Sequence, residues 1–282
     1  MTTDAFPSLD AEEIAETRDA VHVYAQVIGD WRTSCLAHRK HWWQITVYPS
    51  VRGLTTGMIQ AGIDFELELD LHADRLLGHV AGGGNLSEPL GGRSGRDLAS
   101  VVASFLTDQG IDPGLVPEDK KRESHEVPAD GYSADIAGNL GTTVRSVSAA
   151  MAAFRAPVAE ETSPIHIWPH HFDLAMLWLP GEKIPGQNPA DEESSDKQMN
   201  FGFAFGDTGI PEPYFYVTAF PLPDALPGLA LPDGTNWQSE GFSGAVLLYR
   251  RLLEEKDPNK YLVGLWNDLL SAGRQHMLDK AA

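Results

Sequence analysis

The sequence contains a single cysteine, Cys35. One thiol excludes an intrachain disulfide and any zinc site built on several thiolates. No apolar run approaches the ~18 consecutive residues that a membrane-crossing helix requires. Positive charge is scarce: 21 Lys+Arg stand against 40 Asp+Glu, for a net charge of −19 at pH 7. A chain this acidic repels phosphate backbones and anionic lipid, so neither nucleic acid nor a membrane surface is an expected partner. The opening residues, Met1-Thr2-Thr3-Asp4-Ala5-Phe6-Pro7, have neither the basic stretch nor the apolar run of a signal or transit peptide. By elimination the expected location is cytoplasmic.

What is present is an ordinary globular composition: 282 residues, 42% hydrophobic and 22% charged. That length suits one large domain or two small ones, with ample chain for a buried core. Asp10 can cap a helix, with Glu13 completing a capping box. Ile14, Val21, Tyr24, Ile28 and Trp31 then recur at helical spacing as far as about Cys35. Trp42 to Tyr48 alternates as a strand, with Trp42, Gln44, Thr46 and Tyr48 on one face. Ile63 to Leu71 alternates more sharply still, apolar Phe65, Leu67, Leu69 and Leu71 against acidic Asp64, Glu66, Glu68 and Asp70. Arg75 to Val80 can pair with it as a hairpin. Residues 81–95 are glycine-rich and read as a loop. A second helix, capped by Ser94, runs to about Gln109 with Leu98, Val101, Val102, Phe105 and Leu106 inward.

Residues 111–131 are polar and proline-marked, a linker pattern. Ile136, Leu140, Val144, Val147, Met151 and Phe154 then trace a helical stripe that Pro157 stops. Strands are expected at Ile165–Trp168, Phe172–Leu179, around Phe201–Phe205 and at Tyr214–Phe220. Helices are expected from Gly241 through Leu253 and from Tyr261 to Met277. Strands grouped between helices predict an α+β fold, with a mainly antiparallel sheet and flanking helices. The order repeats as two pseudo-equivalent helix–strands–helix halves, with a shared sheet as one option. The expected organisation is a single two-lobed domain over 1–282, its lobes at about 1–110 and 132–282 joined by the polar linker.

The densest chemical cluster is Ser163-Pro164-Ile165-His166-Ile167-Trp168-Pro169-His170-His171-Phe172-Asp173. Imidazole and carboxylate are natural metal ligands. Pro169 argues against a helix that would put His166, His170 and Asp173 on one side. An extended chain instead aligns His166, Trp168 and His170, with His171 and Asp173 sharing a face beyond the proline. Asp173 could then orient His171 for acid–base work, or simply hydrogen-bond it as a structural pair. The absence of a His-Glu-x-x-His motif weakens the metal reading, and no metal ligand set is assigned.

Trp42, Thr46 and Tyr48 offer aromatic and hydrogen-bonding surface suited to a small-molecule pocket. Arg52 downstream could hold an anionic group, or make an ordinary ion pair. The carboxylates of residues 64–70 read as a solvated face. The glycines from Gly82 to Gly95 lack the Lys-Ser/Thr ending of a phosphate loop. Gly241-Phe242-Ser243-Gly244-Ala245 echoes a nucleophile elbow, but Ala245 replaces the last glycine, and Ser243 reads as a helix cap. Asp207, on a glycine-flanked turn, could face a cleft or make an Asx turn.

Five blocks together resemble a bacterial domain-of-unknown-function family. They are His41-Trp42-Trp43-Gln44, Arg52-Gly53-Leu54-Thr55-Thr56, Ser163-Pro164-Ile165-His166, His171-Phe172-Asp173-Leu174-Ala175 and Pro213-Tyr214-Phe215-Tyr216-Val217. They occur in the family's order and span about residues 10 to 275. The resemblance implies one family-wide fold and a bacterial origin, and it brings no reaction, cofactor or catalytic residue. Thr218-Ala219-Phe220-Pro221 departs from the family's usual Pro-Trp continuation.

The expected function is therefore small-molecule binding in a cleft where the halves meet. Trp42, Thr46, Tyr48, Arg52, Trp168 and His170 would contact the ligand, and His171, Asp173 and His166 would supply any acid–base chemistry. A metal-dependent hydrolase on the 166–173 cluster and a non-catalytic interaction module with an aromatic surface at 199–220 are the alternatives. The sequence names no cofactor and no oligomeric state.

Overall fold

The structure is a computed structural model that describes residues 5–91, 93–116 and 131–278. Most of the expected linker, residues 117–130, and Gly92 of the glycine-rich stretch lie outside the described residues. In chain order the elements begin with α1 (Ala11–Cys35), short 3-10 turns over Lys40–Ile45, β1 (Tyr48–Pro49) and β2 (Gly53–Thr55). They continue with β3 (Ile59–Ala61), β4 (Ile63–Asp70), β5 (Arg75–Val80), β6 (Asn85–Pro89), α2 (Gly95–Asp108) and α3 (Ala134–Arg155). Then come β7 (Glu161–Thr162), β8 (His166–Trp168), β9 (Asp173–Leu179), α4 (Glu192–Ser195), β10 (Gln198–Ala204) and β11 (Tyr214–Phe220). The chain closes with β12 (Thr235–Gln238), β13 (Gly244–Leu248), α5 (Tyr249–Leu252) and α6 (Pro258–Met277). The fold is α+β, and its pairings are antiparallel. Among the described residues no helix is long and apolar enough to cross a membrane.

The chain divides into two compact units, Met1–Ser146 with His166–Phe172, and Val147–Ile165 with Asp173–Ala282. In the first unit the strand order is β1-β2-β4-β5-β6, with β3 also on β4. β4 alternates because Phe65, Leu67 and Leu69 are buried on one side. Trp31 of α1 meets Phe65 edge-on at 5.8 Å between ring centroids. The Asp10 carboxylate accepts from the Glu12 and Glu13 amides at 3.0 and 3.2 Å, satisfying orphan donors at the start of α1. Ser94 does the same for α2, accepting from the Asp97 amide at 3.1 Å. Leu98, Val102 and Leu106 form the buried stripe of that helix.

The second unit's sheet has the order β12-β13-β11-β10-β9-β7. One face is an aromatic core. Phe154 of α3 packs on Phe201 at 4.8 Å, and Trp266 of α6 lies 5.6 Å from Phe154 and 6.2 Å from Phe215. Every residue of β9 is buried, so it reads as a continuous apolar run broken only by Asp173 at its start.

Four local readings are corrected. Trp42–Tyr48 is a strand only at its end: His41 and Trp42 adopt left-handed φ of 50° and 59°, which curl the chain into turns through Ile45 before Val47 and Tyr48 pair. The stretch after Gly241 is not one helix. Gly244–Leu248 is β13, hydrogen-bonded to β11 and β12, and only the four-residue α5 follows. Ser243 therefore precedes a strand and caps no helix. The glycine-rich stretch contains β6, an edge strand on β5. Finally, the two halves do not share a sheet along the expected division, since the strands from 48 to 89 form a sheet of their own.

A bidentate ion pair ties α6 to the segment before β7. Arg274 donates to both oxygens of Glu160, at 2.7 and 2.6 Å. These hydrogen bonds hold the Glu160 carboxyl down to about 2, from an ordinary 4.5. The folded pKa is depressed, so the pair's contribution is complete above about pH 4.5 and is lost as pH falls toward 2. Both side chains are partly exposed, and solvent screening keeps the contribution to about 1 kcal/mol or less. Glu160→Gln should lower stability to denaturant at pH 7 and fall closer to the parent protein at pH 3. An unchanged difference would assign the effect to packing.

Candidate functional site

Two strings far apart in sequence meet in the first unit. Val47 and Ile167 form an antiparallel bridge, with N–H···O distances of 3.0 and 2.8 Å. Antiparallel register sets Thr46 against Trp168 and Tyr48 against His166. Alternation then places Thr46, Tyr48, His166 and Trp168 on one side, opposite buried Val47 and Ile167. Helix α1 supports the bridge from behind. A side chain at Gly29 would stand 2.8 Å from the Pro169 ring, so the missing Cβ is what lets Pro169 approach the helix, while Val47, 3.7 Å from the same point, lies in ordinary contact distance.

The turns before β1 are held by Thr46, whose hydroxyl donates to the Trp43 carbonyl at 2.9 Å, and by Gln44, which accepts from the Arg39 amide at 2.9 Å. The left-handed turn carries Trp42 away from the shared face. Trp42 is 47% exposed and leans edge-on against His38 at 4.7 Å.

Beneath Tyr48 lies Arg32, a buried residue near the end of α1. Its guanidinium donates to the Thr56 carbonyl and, at 3.1 Å, to the Tyr48 hydroxyl, and its carbon sits 4.7 Å from the centre of the Tyr48 ring. Burial pulls this guanidinium below its ordinary pKa; Tyr48 opposes the shift and the positive charge of Arg39 adds to it. Among the described residues no carboxylate forms an ion pair with Arg32.

Arg52 is in a different situation. It lies 3.8 Å from both Glu68 and Asp70 on β4. Ser50 donates to Glu68 at 2.7 Å and Thr55 to Glu66 at 2.5 Å. Glu66, Glu68 and Asp70 on the acidic side of β4 are thus partnered, and none of its four carboxylate residues is exposed. That corrects the solvated reading of residues 64–70.

Past the bridge runs a series of rings. His166 is fully buried and meets Trp168 edge-on at 4.9 Å. Trp168 meets His170 at 5.5 Å, and His170 meets His171 at 4.4 Å. His170 and His171 are exposed on a tight turn in which the His171 and Phe172 amides both donate to the Trp168 carbonyl. Phe172 closes that turn at φ 56° and stacks on His22 at 5.3 Å. Among the described residues no group of three or more His, Cys, Asp or Glu could hold a metal ion, so the hydrolase alternative has no ligand set there.

Asp173 belongs to the second unit. Its carboxylate accepts a hydrogen bond from the Tyr216 hydroxyl, which Asn200 also approaches at 3.4 Å. Tyr214 donates to Asp207 at 2.6 Å, and Asp207 makes the Asx turn to the Gly209 and Ile210 amides. Burial, with the carboxylates each tyrosine faces, pushes both phenols above their ordinary pKa, so both stay neutral donors.

Trp42, Thr46, Tyr48, Arg52, His166, Trp168, His170 and His171 therefore all lie in the first unit, and Asp173 alone lies in the second. A family model described as a family of unknown function (DUF5996) matches residues 6–277. The chain belongs to that family. No curated protein and no solved structure matches it. Membership in DUF5996 brings no reaction, so any role must come from the geometry. The two groups that sequence reasoning passed over are Arg32 and the Tyr216–Asp173 pair. Arg32 was hidden because a cation in the last turn of a helix is common on dipole grounds alone. Its one visible signal is its place directly after the apolar run that ends in Trp31.

Proposed function

We propose that this protein binds a small molecule in its first unit, against the half-buried Tyr48 and Trp168, with the buried Thr46 and His166 behind them and exposed His170 at the rim. The bridge between Val47 and Ile167 carries this reading, because it gathers aromatic and hydrogen-bonding side chains from two distant strings onto one supported surface. A few polar groups set among aromatic rings is the usual make-up of a ligand site. The rigid backing matters as much: α1 fixes both strings through Gly29 and Arg32. A role without chemistry fits this face, since its polar groups are suited to orienting a ligand.

The test is a thermal-shift screen of small metabolites on the parent protein, on Trp168→Phe and on Tyr48→Phe. Genuine ligands should raise the melting temperature of the parent protein and lose affinity in at least one of the two variants. Ligands that bind all three proteins equally would place the site elsewhere and end this reading.

A further inference from the structure

Arg32 is a buried charge without a counter-charge among the described residues. Its Nε has no hydrogen-bond partner and is closed off from solvent, and its two other nitrogens reach only a carbonyl and a phenol, both neutral. Natural interiors seldom leave a guanidinium this way, because a buried cation is unfavourable unless an anion offsets it. Nor is Arg32 alone. Arg39 stands close enough to act on it electrostatically, is exposed, and makes no ion pair among the described residues. Two arginines with no acidic partner among the described residues stand out in a chain of net charge −19. By contrast, Arg52 a few residues away already faces Glu68 and Asp70.

The connection to the outside is Tyr48. Its hydroxyl accepts from Arg32, and its own proton is donated to no group among the described residues. The residue is half-buried, so the hydroxyl can present that proton to a bound group while the guanidinium stands behind it. A phenol already accepting from a cation is a stronger donor, and an anion facing it also gains the Arg32 charge through a short, poorly screened path. A carboxylate suits this arrangement, with one oxygen on the Tyr48 hydroxyl and the charge shared with Arg39 at the edge. Trp168, on the same side of the bridge as Tyr48 and half-buried, offers flat surface for the body of such a molecule, with the buried His166 ring packed edge-on behind it.

We propose that Arg32, Arg39 and Tyr48 form a receptor for the carboxylate of a flat, aromatic organic acid. The inference rests on the small-molecule reading above and adds the chemical class of the ligand.

The test uses benzoate, its neutral counterpart benzamide and inorganic phosphate as probes, with the full chain at constant ionic strength. Thermal shift and calorimetric titration are the readouts. Benzoate should bind at millimolar concentration and benzamide should bind at least tenfold more weakly, since one hydrogen bond to a charged group is worth about that ratio. Tyr48→Phe and Arg39→Gln keep the packing, and each should weaken benzoate several-fold while leaving benzamide unchanged. Arg32→Lys, which keeps the charge and loses the fork, should weaken it as well. Equal binding of benzoate and benzamide, both sensitive to Trp168→Phe, would overturn the carboxylate assignment and leave the small-molecule site standing. Phosphate binding without benzoate binding would also overturn it. Binding of all probes that ignores Tyr48, Arg39 and Trp168 would remove both readings together.

Discussion

Gly202→Ala should destabilise the protein by about 2–4 kcal/mol, more than a single added methyl ordinarily does. Glycine inside a strand is as a rule a weak choice, and alanine there should gain a few tenths to about 1 kcal/mol. Here the methyl has no room. A Cβ on Gly202 would fall 2.1 Å from Cζ of Tyr216 and 2.3 Å from its hydroxyl oxygen. An aromatic ring cannot compress, and Gly202 pairs directly with Tyr216 across β10 and β11, so the backbone cannot step aside without breaking the ladder. The ring must swing out instead. It would then abandon its hydrogen bond to Asp173, a buried carboxylate, and its contacts with Tyr214 and Phe242 at 6.1 and 6.3 Å. Loss of a donor to a buried charged group costs about 1–3 kcal/mol on its own. Gly273→Ala is the control. Its Cβ would come 2.1 Å from the Met199 sulfur, but a thioether chain can turn away, and alanine gains about 1 kcal/mol in a helix. Urea unfolding should show a large loss for the first variant and a change within about 1 kcal/mol for the second. If Gly202→Ala is as stable as the parent protein, the Tyr216 ring does not lie across Gly202.

The contrast between these glycines also shows where sequence reading reaches its limit. Strands with strict alternation were legible. Phe65, Leu67 and Leu69 on β4 announce their own face, and so do Phe201 and Phe203 on β10. Capped helices were legible too, because Asp10 and Ser94 act on amides two or three residues away. What failed depended on partners distant in sequence. Residues 244–248 form a strand because β11 and β12 flank them on both sides, a fact that a window of local sequence does not contain. Trp42–Tyr48 alternates as a strand would, yet two consecutive left-handed residues break it, and neither is glycine.

The candidate site was legible as strings and illegible as an arrangement. Thr46, Tyr48, His166 and Trp168 were singled out as residue types, but assigned to different halves of the chain. One bridge, at Val47 and Ile167, puts them in the same unit. Spacing alone pairs Asp173 with His171. In the structure its carboxylate receives the Tyr216 hydroxyl, from a strand more than forty residues on, as the separation of 43 shows. Arg52 was the visible cation in the right block. Arg32 has no acidic partner among the described residues, and only burial and the geometry of its neighbours distinguish the two.

Gly29→Leu should lower stability by about 3 kcal/mol and disturb the proposed site at the same time. Gly29 lies on α1 opposite the turn that follows β8. A Cβ there would meet the Pro169 ring at 2.8 and 3.2 Å and Val47 at 3.7 Å. Alanine tests the balance of two terms. It gains about 1 kcal/mol of helix propensity over glycine, and it loses through a contact that a rigid pyrrolidine ring cannot absorb. Pro169 is buried and sits two residues after the bridged Ile167, so its freedom to retreat is small, and the contact should win by about 1 kcal/mol. Leucine adds volume in the same direction with no further propensity gain. It should push Pro169 off the helix, break the Val47–Ile167 hydrogen bonds and move Trp168 into a different environment. Denaturant unfolding measures the first effect. Amide exchange at Val47 and Ile167 measures the second, with protection expected to fall in Gly29→Leu and to change little in Gly29→Ala. A Gly29→Leu protein of parental stability with Val47 and Ile167 still protected would mean that α1 does not brace the bridge. The rigid backing that supports the ligand-binding reading would then be gone.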